Sequence, residues 1–474
     1  MYKANYSRRK FIGQLSCAAI GSNTFLNTLI NLNLTNTLVA KRSLFNNDYK
    51  ALVCVLFSGG NDSFNVLVPK GTDEYNEYQT VRSTLALNQA DLLPITPKTN
   101  DGKSYGLHPA FSKVKTIFDD EKLAFVANVG TLHEPTNLAD YNANRNLPLG
   151  LFSHSDQIRQ WQTSLPADRD TLGWGGKMAD VLASMNENSN ISMNISLSGT
   201  NVFQSGNTAS AYSINHKEDS GSDIHGSSGI LAYDFGGTLH QSRTSGIDNV
   251  LAADYNNLMH ITYKDALRGA QDKHIEFSSA IKNVANFATP FTSDVFSFSN
   301  NLKMVAKTIA SRNVLNMNRQ IFFVNFGGWD HHDEVLSNQQ YMLSVVANGL
   351  SSFQNTVEEL GLSDKVTLFT ISDFGRTLST NGNGSDHGWG GNHLVMGGAV
   401  KGQDIYGTYP DLYAGNSLDV GRGRLIPTMS TDEYFAELAL WFGVEKSELG
   451  LVLPNIANFY NTANTTPPVG FMNI

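Results

Sequence analysis

Three aspartates stand just past apolar runs that break into small, turn-forming residues. Ala51–Phe57 runs into Ser58-Gly59-Gly60-Asn61-Asp62. Ile321–Phe326 runs into Gly327-Gly328-Trp329-Asp330-His331-His332. Val366–Ile371 runs into Ser372-Asp373-Phe374-Gly375-Arg376. In an open α/β sheet the carboxyl ends of the strands are where ligands bind. Three carboxylates gathered at one such rim repel one another in a dry cleft, and a bound cation is the usual resolution. Imidazoles lie close by in sequence. His331 and His332 follow Asp330, and Asp386-His387 and His393 sit in the glycine-rich stretch Asn381–His393. A mixed Asp/His set suits zinc, manganese or iron, whereas calcium and magnesium prefer oxygen alone. Each motif taken singly has a plainer reading. Gly-Gly-Asn-Asp is a good turn, Asp330 can cap a helix, Asp373 can pair with Arg376, and the Asn/Gly/Ser run can be a flexible loop. The recurrence of one pattern at three strand ends is what points to chemistry.

The elements that must carry these residues are short buried strands alternating with amphipathic helices. Beside the three runs above, Leu123–Val129, Ile195–Leu197 and His393–Met396 read as buried parallel strands. Asp265–Phe287, Asn301–Ser311, Asn338–Leu360 and Thr431–Phe442 read as helices. That alternation predicts an α/β fold with a mostly parallel central sheet flanked by helices. Residues 198–245, rich in Ser, Gly, Asn and Thr, read as a polar insertion within a single domain spanning 46–474.

The 474 residues carry 34 bases and 43 acids, with 41% apolar and 16% charged side chains. This excludes a disordered polar chain and a collagen-like repeat. The acidic balance also argues against a nucleic-acid partner, which would need a basic surface. Residues 1–45 read as a signal segment. Ser7-Arg8-Arg9-Lys10-Phe11-Ile12 is a twin-arginine pattern before a mildly apolar stretch, with no acid in the first forty residues. The expectation is export by the twin-arginine translocase to the periplasm or cell surface, with cleavage near Ala40. Loss of Lys3, Arg8, Arg9 and Lys10 leaves 30 bases against 43 acids, a body of about −13. Of the two cysteines, Cys17 precedes that cut and Cys54 follows it, so the mature chain holds one thiol and no internal disulfide.

Nearly the whole chain resembles a family of bacterial twin-arginine-exported proteins, domain of unknown function 1501. The resemblance lies in Phe57–Pro69, Leu107-His108-Pro109-Ala110, Ser153–Gln157 with Trp161-Gln162-Thr163, and Gly173-Trp174. It continues through Gly327–Asp333, Ser372–Thr377, Asp386-His387 and Gly397–Pro410. That family is placed in the alkaline-phosphatase-like superfamily, with phosphatases, sulfatases and cofactor-independent phosphoglycerate mutases.

The resemblance implies an alkaline-phosphatase-like core with one or two divalent ions, zinc or manganese, at strand ends. By the superfamily order Asp62 looks like the first ligand, Asp330 with His332 the next pair, Asp373 a later one, and His387 or His393 the last imidazole. Phe374 departs from the pattern, which has a histidine there; Asp386-His387 is the candidate replacement. Ser153 is the candidate nucleophile or a helix N-cap, with Ser155 and Ser63 behind it. Arg376 is the candidate anion partner, with His154, His108 and Arg159 near the same face. Trp174 and Trp389 read as core, or as walls for a sugar ring. The absence of a cysteine near Ser153 argues against a formylglycine-type sulfatase. The implied activity is hydrolysis or transfer of phosphate or sulfate esters. The alternative is a non-catalytic exported protein that binds a surface polymer or a second uncharacterised exported protein.

Overall fold

Alternate residues of the first strand face two different cores, and this sets the architecture. The computed structural model describes residues 48–216, 246 and 249–474. In β1 (Lys50–Phe57), Ala51, Val53, Val55 and Phe57 join one apolar cluster while Leu52, Cys54 and Leu56 join another. A strand's side chains point alternately to the two faces of its sheet, so an unbroken apolar run is buried on both. The first face is covered by the helices Ser112–Asp119, Phe298–Ala310 and Val335–Glu359. The second is covered by Trp174–Val181, Thr431–Phe442 and Leu449–Val452. The helix starting at Thr431 is fixed by a capping box, in which Ser430 and Glu433 satisfy each other's backbone N–H groups.

The remaining strands, in chain order, are β2 (Leu67–Pro69), β3 (Leu93–Ile95), β4 (Tyr105–Leu107), β5 (Leu123–Gly130), β6 (Asn194–Ser196), β7 (Tyr212–Ser213) and β8 (Arg319–Asn325). They continue with β9 (Val366–Ser372), β10 (Arg376–Thr380), β11 (Ser385–His387), β12 (Gly391–Met396), β13 (Asp404–Tyr406) and β14 (Met429–Ser430). The central sheet runs β13-β5-β12-β9-β1-β8-β6-β7, with β14 also on β5. β2, β3 and β4 form a separate three-stranded sheet.

The expected α/β architecture is therefore the observed one, with helices on both faces of a mostly parallel sheet. One strand departs from it. β12, expected to be parallel, is antiparallel to both β5 and β9. It follows β9 through the small β10-β11 hairpin, and such a short connection returns the chain in the opposite sense.

Two expectations fall wholly or partly outside the described residues: the twin-arginine start, and residues 217–245 of the polar stretch. The described beginning of that stretch is tied into the sheet. Phe203 is buried against Trp174, and Gln204 donates to the carbonyls of Ile195 and Ile321. No described helix is long and apolar enough to cross a membrane.

Candidate metal centre

β9, β1 and β8 are neighbours in that order, so their carboxyl ends open on one rim. The loops there pass very close to one another. Gly59 has φ +117°, and a Cβ on it would lie 2.5 Å from the Asp330 backbone nitrogen. Only glycine accommodates both that backbone and that approach. The Gly59 N–H donates to Asp373, so the β1 and β9 ends are joined directly.

The glycine-rich stretch is not a loose loop. It forms the β10-β11 hairpin, in which Arg376 pairs with His387 and Asn381–Gly384 makes the turn. A Cβ on Gly384 would meet the His332 carbonyl carbon at 2.2 Å, so the turn packs tightly on the loop after β8. The hairpin carries His387 over the rim. A further contributor, His154, opens the helix His154–Thr163.

His154, Asp330 and His387 converge, each offering one ligand atom within 4.8 Å of the others. His154 Nε2 lies 3.0 Å from His387 Nε2 and 3.5 Å from Asp330 Oδ2. His332 Nε2 stands against two of the three, 3.0 Å from His387 Nε2 and 3.1 Å from Asp330 Oδ1. The other nitrogen of each ring faces an oxygen. His154 Nδ1 is 2.7 Å from Asp373 Oδ2, His332 Nδ1 is 3.2 Å from Asp386 Oδ1, and His387 Nδ1 is 2.8 Å from the Phe152 carbonyl. A carbonyl or an ionised carboxylate only accepts, so each Nδ1 is the protonated nitrogen and, in a neutral ring, each Nε2 presents a lone pair. His154, Asp330 and His387, with each ring fixed from behind by an oxygen, form a group that could hold a metal ion, and His332 stands beside it.

The electrostatics agree with that reading. Burial lowers the His387 pKa, with a further push from His154 and Arg376, which favours the neutral ligating ring. Burial raises the carboxyl of Asp330, but the hydrogen bond and charge of Arg376 outweigh it and the net shift is downward. Burial also raises Asp373, opposed by its bonds to His154 and the Gly59 N–H. The rim is open to solvent: the Asp330 and His332 side chains are each 44% exposed.

A family model described as protein of unknown function (DUF1501) matches residues 49–417. The chain belongs to this family. No curated protein matches the DUF1501 chain. Solved structures similar to it include the PsFucS1 sulfatase from Pseudoalteromonas sp., 11% identical over 87% of this chain and 71% of that one, with a TM-score of 0.35. Another is Ps i-CgsB in complex with k-i-k-neocarrahexaose, 10% identical over 87% and 78%, with a TM-score of 0.31. A third is a TAB5 alkaline phosphatase mutant with Mg bound, 10% identical over 74% and 91%, with a TM-score of 0.25. At such overlap they say nothing of the DUF1501 protein's substrate or ligands.

Several residues singled out in the sequence occupy other places in the DUF1501 structure. Asp62 is not in the converging group: its Oδ2 accepts from Arg82 Nη2 at 2.6 Å and from the Ser385 hydroxyl at 3.1 Å, all fully buried. His393 lies in the core on β12, its ring against Trp161 and Tyr434, with burial holding its pKa down to about 3. Asp373 meets His154 rather than the convergence point. Arg376, expected to hold an anion, donates instead to Asp330 Oδ1, the Gly59 carbonyl and the Ser385 carbonyl. Ser153 occupies the N-cap position without making a cap bond, and its hydroxyl lies 3.1 Å from that of Ser155. The Ser63 hydroxyl accepts from Asn392 N–H, and His108 Nδ1 accepts from Ala110 N–H. Arg159 reaches the Arg169 carbonyl. Trp174 and Trp389 are core residues, Trp174 stacked on Phe435.

Phe374 has a role of its own. Its buried ring lies 4.7 Å from the His154 ring and 4.6 Å from that of His387, an apolar backing for both. Sequence reasoning missed the groups that hold the histidines from behind. Phe152, at φ +69°, aims its carbonyl at His387. Arg422 pairs with Asp386, and Arg424 donates to the His387 carbonyl. Nothing local marks these positions; only the Arg-Gly-Arg spacing of 422–424 offered a signal.

Proposed function

We propose that this protein is a divalent-metal-dependent hydrolase, or group transferase, of phosphate or sulfate esters that works outside the cytoplasm. One observation carries the reading: His154, Asp330 and His387 bring their donor atoms to one exposed point, with each imidazole oriented by an oxygen behind it. The mixed nitrogen and oxygen donors fit zinc or manganese. His154, Asp330 and His387 would hold the ion, with His332 beside them. A divalent ion bound there would supply Lewis acidity toward an ester oxygen. Asp373 and Asp386 keep the proton on the far nitrogen of His154 and His332, and Arg376 holds Asp330 ionised. Ser153, immediately before His154, is the nearest candidate for the attacking hydroxyl. The twin-arginine start supports export by the translocase, and the superfamily that the sequence resembles supports the ester class.

The test is elemental analysis of protein purified from the exported fraction, paired with turnover on panels of phosphate and sulfate esters. The expected result is close to one or two equivalents of zinc or manganese and measurable hydrolysis. Asp330→Ala should abolish both. Protein without a transition metal and without turnover would overturn the proposal.

A second reading is favoured by the engagement of Arg376 with protein groups and by the Ser153–Ser155 contact. In it the same centre holds a metal in a non-catalytic protein that binds an anionic surface polymer or a second exported protein. Stoichiometric metal, tight binding of a sulfated polysaccharide and no product release would select that reading.

A further inference from the structure

If Arg376 is fixed to Asp330, some other group must meet an anion at this rim. We infer that Arg424 is the anion-docking residue of the centre, and that its ligand is a tetrahedral oxyanion, the phosphate or sulfate group of an ester. This rests on the hydrolase reading for the identity of the substrate and on separate geometry for the site.

Arg424 is attached to the metal-centre residues at two points. Its Nε donates to the His387 carbonyl at 2.9 Å. Its guanidinium carbon lies 5.0 Å from the centroid of the Phe152 ring, and the Phe152 carbonyl is the group that orients His387. Those two contacts fix the plane of the fork. Its two terminal nitrogens have no hydrogen-bond partner among the described residues, unlike those of Arg376 and Arg82. The neighbouring Arg422 is different, since its Nη1 is held by Asp386 at 2.6 Å.

The backbone beneath Arg424 is built to hold one shape. Asp419 Oδ1 accepts from both the Gly421 and Gly423 N–H groups, and Asp419 bridges to Leu425. Gly423 has φ +71°, and a Cβ on it would lie 2.4 Å from Leu378 Cβ, so the turn is pressed against β10. A guanidinium fork held at Nε and on an aromatic face, with both ends free, is pre-organised for bidentate binding of an oxyanion. Pre-organisation lowers the entropic cost of docking. On a body of net negative charge this local cation also gives an anionic ester a reason to approach this rim.

The experiment uses the full-length, metal-containing protein and inorganic phosphate and sulfate as probes. Arginines are modified with phenylglyoxal and the labelled peptides quantified by mass spectrometry, with and without each anion at a concentration that saturates binding by calorimetry. Protection of Arg424 by about tenfold or more is expected, while Arg145, which is 64% exposed and pairs with Asp140, is labelled equally in both. Protection by only one anion assigns the ester class. In parallel, Arg424→Lys keeps the charge and removes the fork; phosphate or sulfate affinity should fall about tenfold, equivalent to about 1.4 kcal/mol, with metal content unchanged. Equal labelling of Arg424 with and without a bound anion would overturn the inference and leave the metal-centre reading standing. Absence of both bound metal and anion binding would overturn the two together.

Discussion

The three imidazoles at the rim differ in what holds their far nitrogen. His154 leans on the buried carboxylate of Asp373, His332 on the partly buried Asp386, and His387 on a backbone carbonyl that no substitution at 152 can remove. Outer partners of this kind fix the tautomer and raise the basicity of a ligating ring, and losing one typically costs about 10- to 100-fold in metal affinity. Asp373→Asn keeps the volume and the hydrogen-bond acceptor toward Gly59 but removes the charge facing His154. Its metal affinity, measured by competition with a chelator, is expected to fall within that range while the circular dichroism spectrum is unchanged. Unchanged affinity would show that His154 is not a ligand. The residue types of this centre were legible from sequence in Asp330 and His387. His154 was legible only as a neighbour of the anion, because its helix position carries no sign of which way its ring points.

At the scale of elements, the loop after β1 is held by a buried ion pair. Arg82 closes the helix Thr72–Arg82, bonds to Asp62, and donates to the carbonyls of Thr377 and Leu378 on β10. One residue thus ties the β1 loop, a helix end and the hairpin that carries His387. Both partners are at most 1% exposed, so removal of one strands the other's charge in a dry interior, at about 3–5 kcal/mol. Asp62→Ala should therefore lose stability of that order in denaturant unfolding and retain its bound metal. A metal ligand would show the reverse, metal lost with stability largely kept. The position of Asp62 after the first strand invited a ligand role. Arg82 decided otherwise, and nothing in the helix sequence around it indicates a partner 20 residues earlier.

At the scale of the whole molecule, buried Asp432 and His393 have opposite pH dependence. Burial pushes Asp432, in the first turn of the helix Thr431–Phe442, up to about 7, against the hydrogen bonds of Asn455 and Ser164. Its folded-state pKa lies above the unfolded one. Its contribution is therefore most favourable below about pH 4 and is lost as the pH rises to about 7. Burial holds His393 near 3, below its unfolded value, so its contribution is present above about pH 6.5 and is lost as the pH falls toward 3. Asp432→Asn should raise stability at pH 8, by up to about 4 kcal/mol for a carboxyl pushed up to about 7, and give no gain near pH 4. Thermal unfolding across pH 4–8 measures both slopes. A parallel displacement of the whole curve would show that Asp432 is ionised in the folded state throughout.

The sequence by itself determined the layered α/β architecture, the strands that lie at its centre and the rim on which chemistry would sit. Those features are written in local patterns: apolar runs, helical periodicity, and glycines at the ends of strands. Only the tertiary structure decided which polar groups meet. Asp62 found Arg82, Arg376 found Asp330, and His393 went into the core, while His154 and His387 came together from residues 233 positions apart. Side-chain direction at the end of a helix or hairpin depends on the packing beneath it, and that packing is made by chain segments far away in sequence.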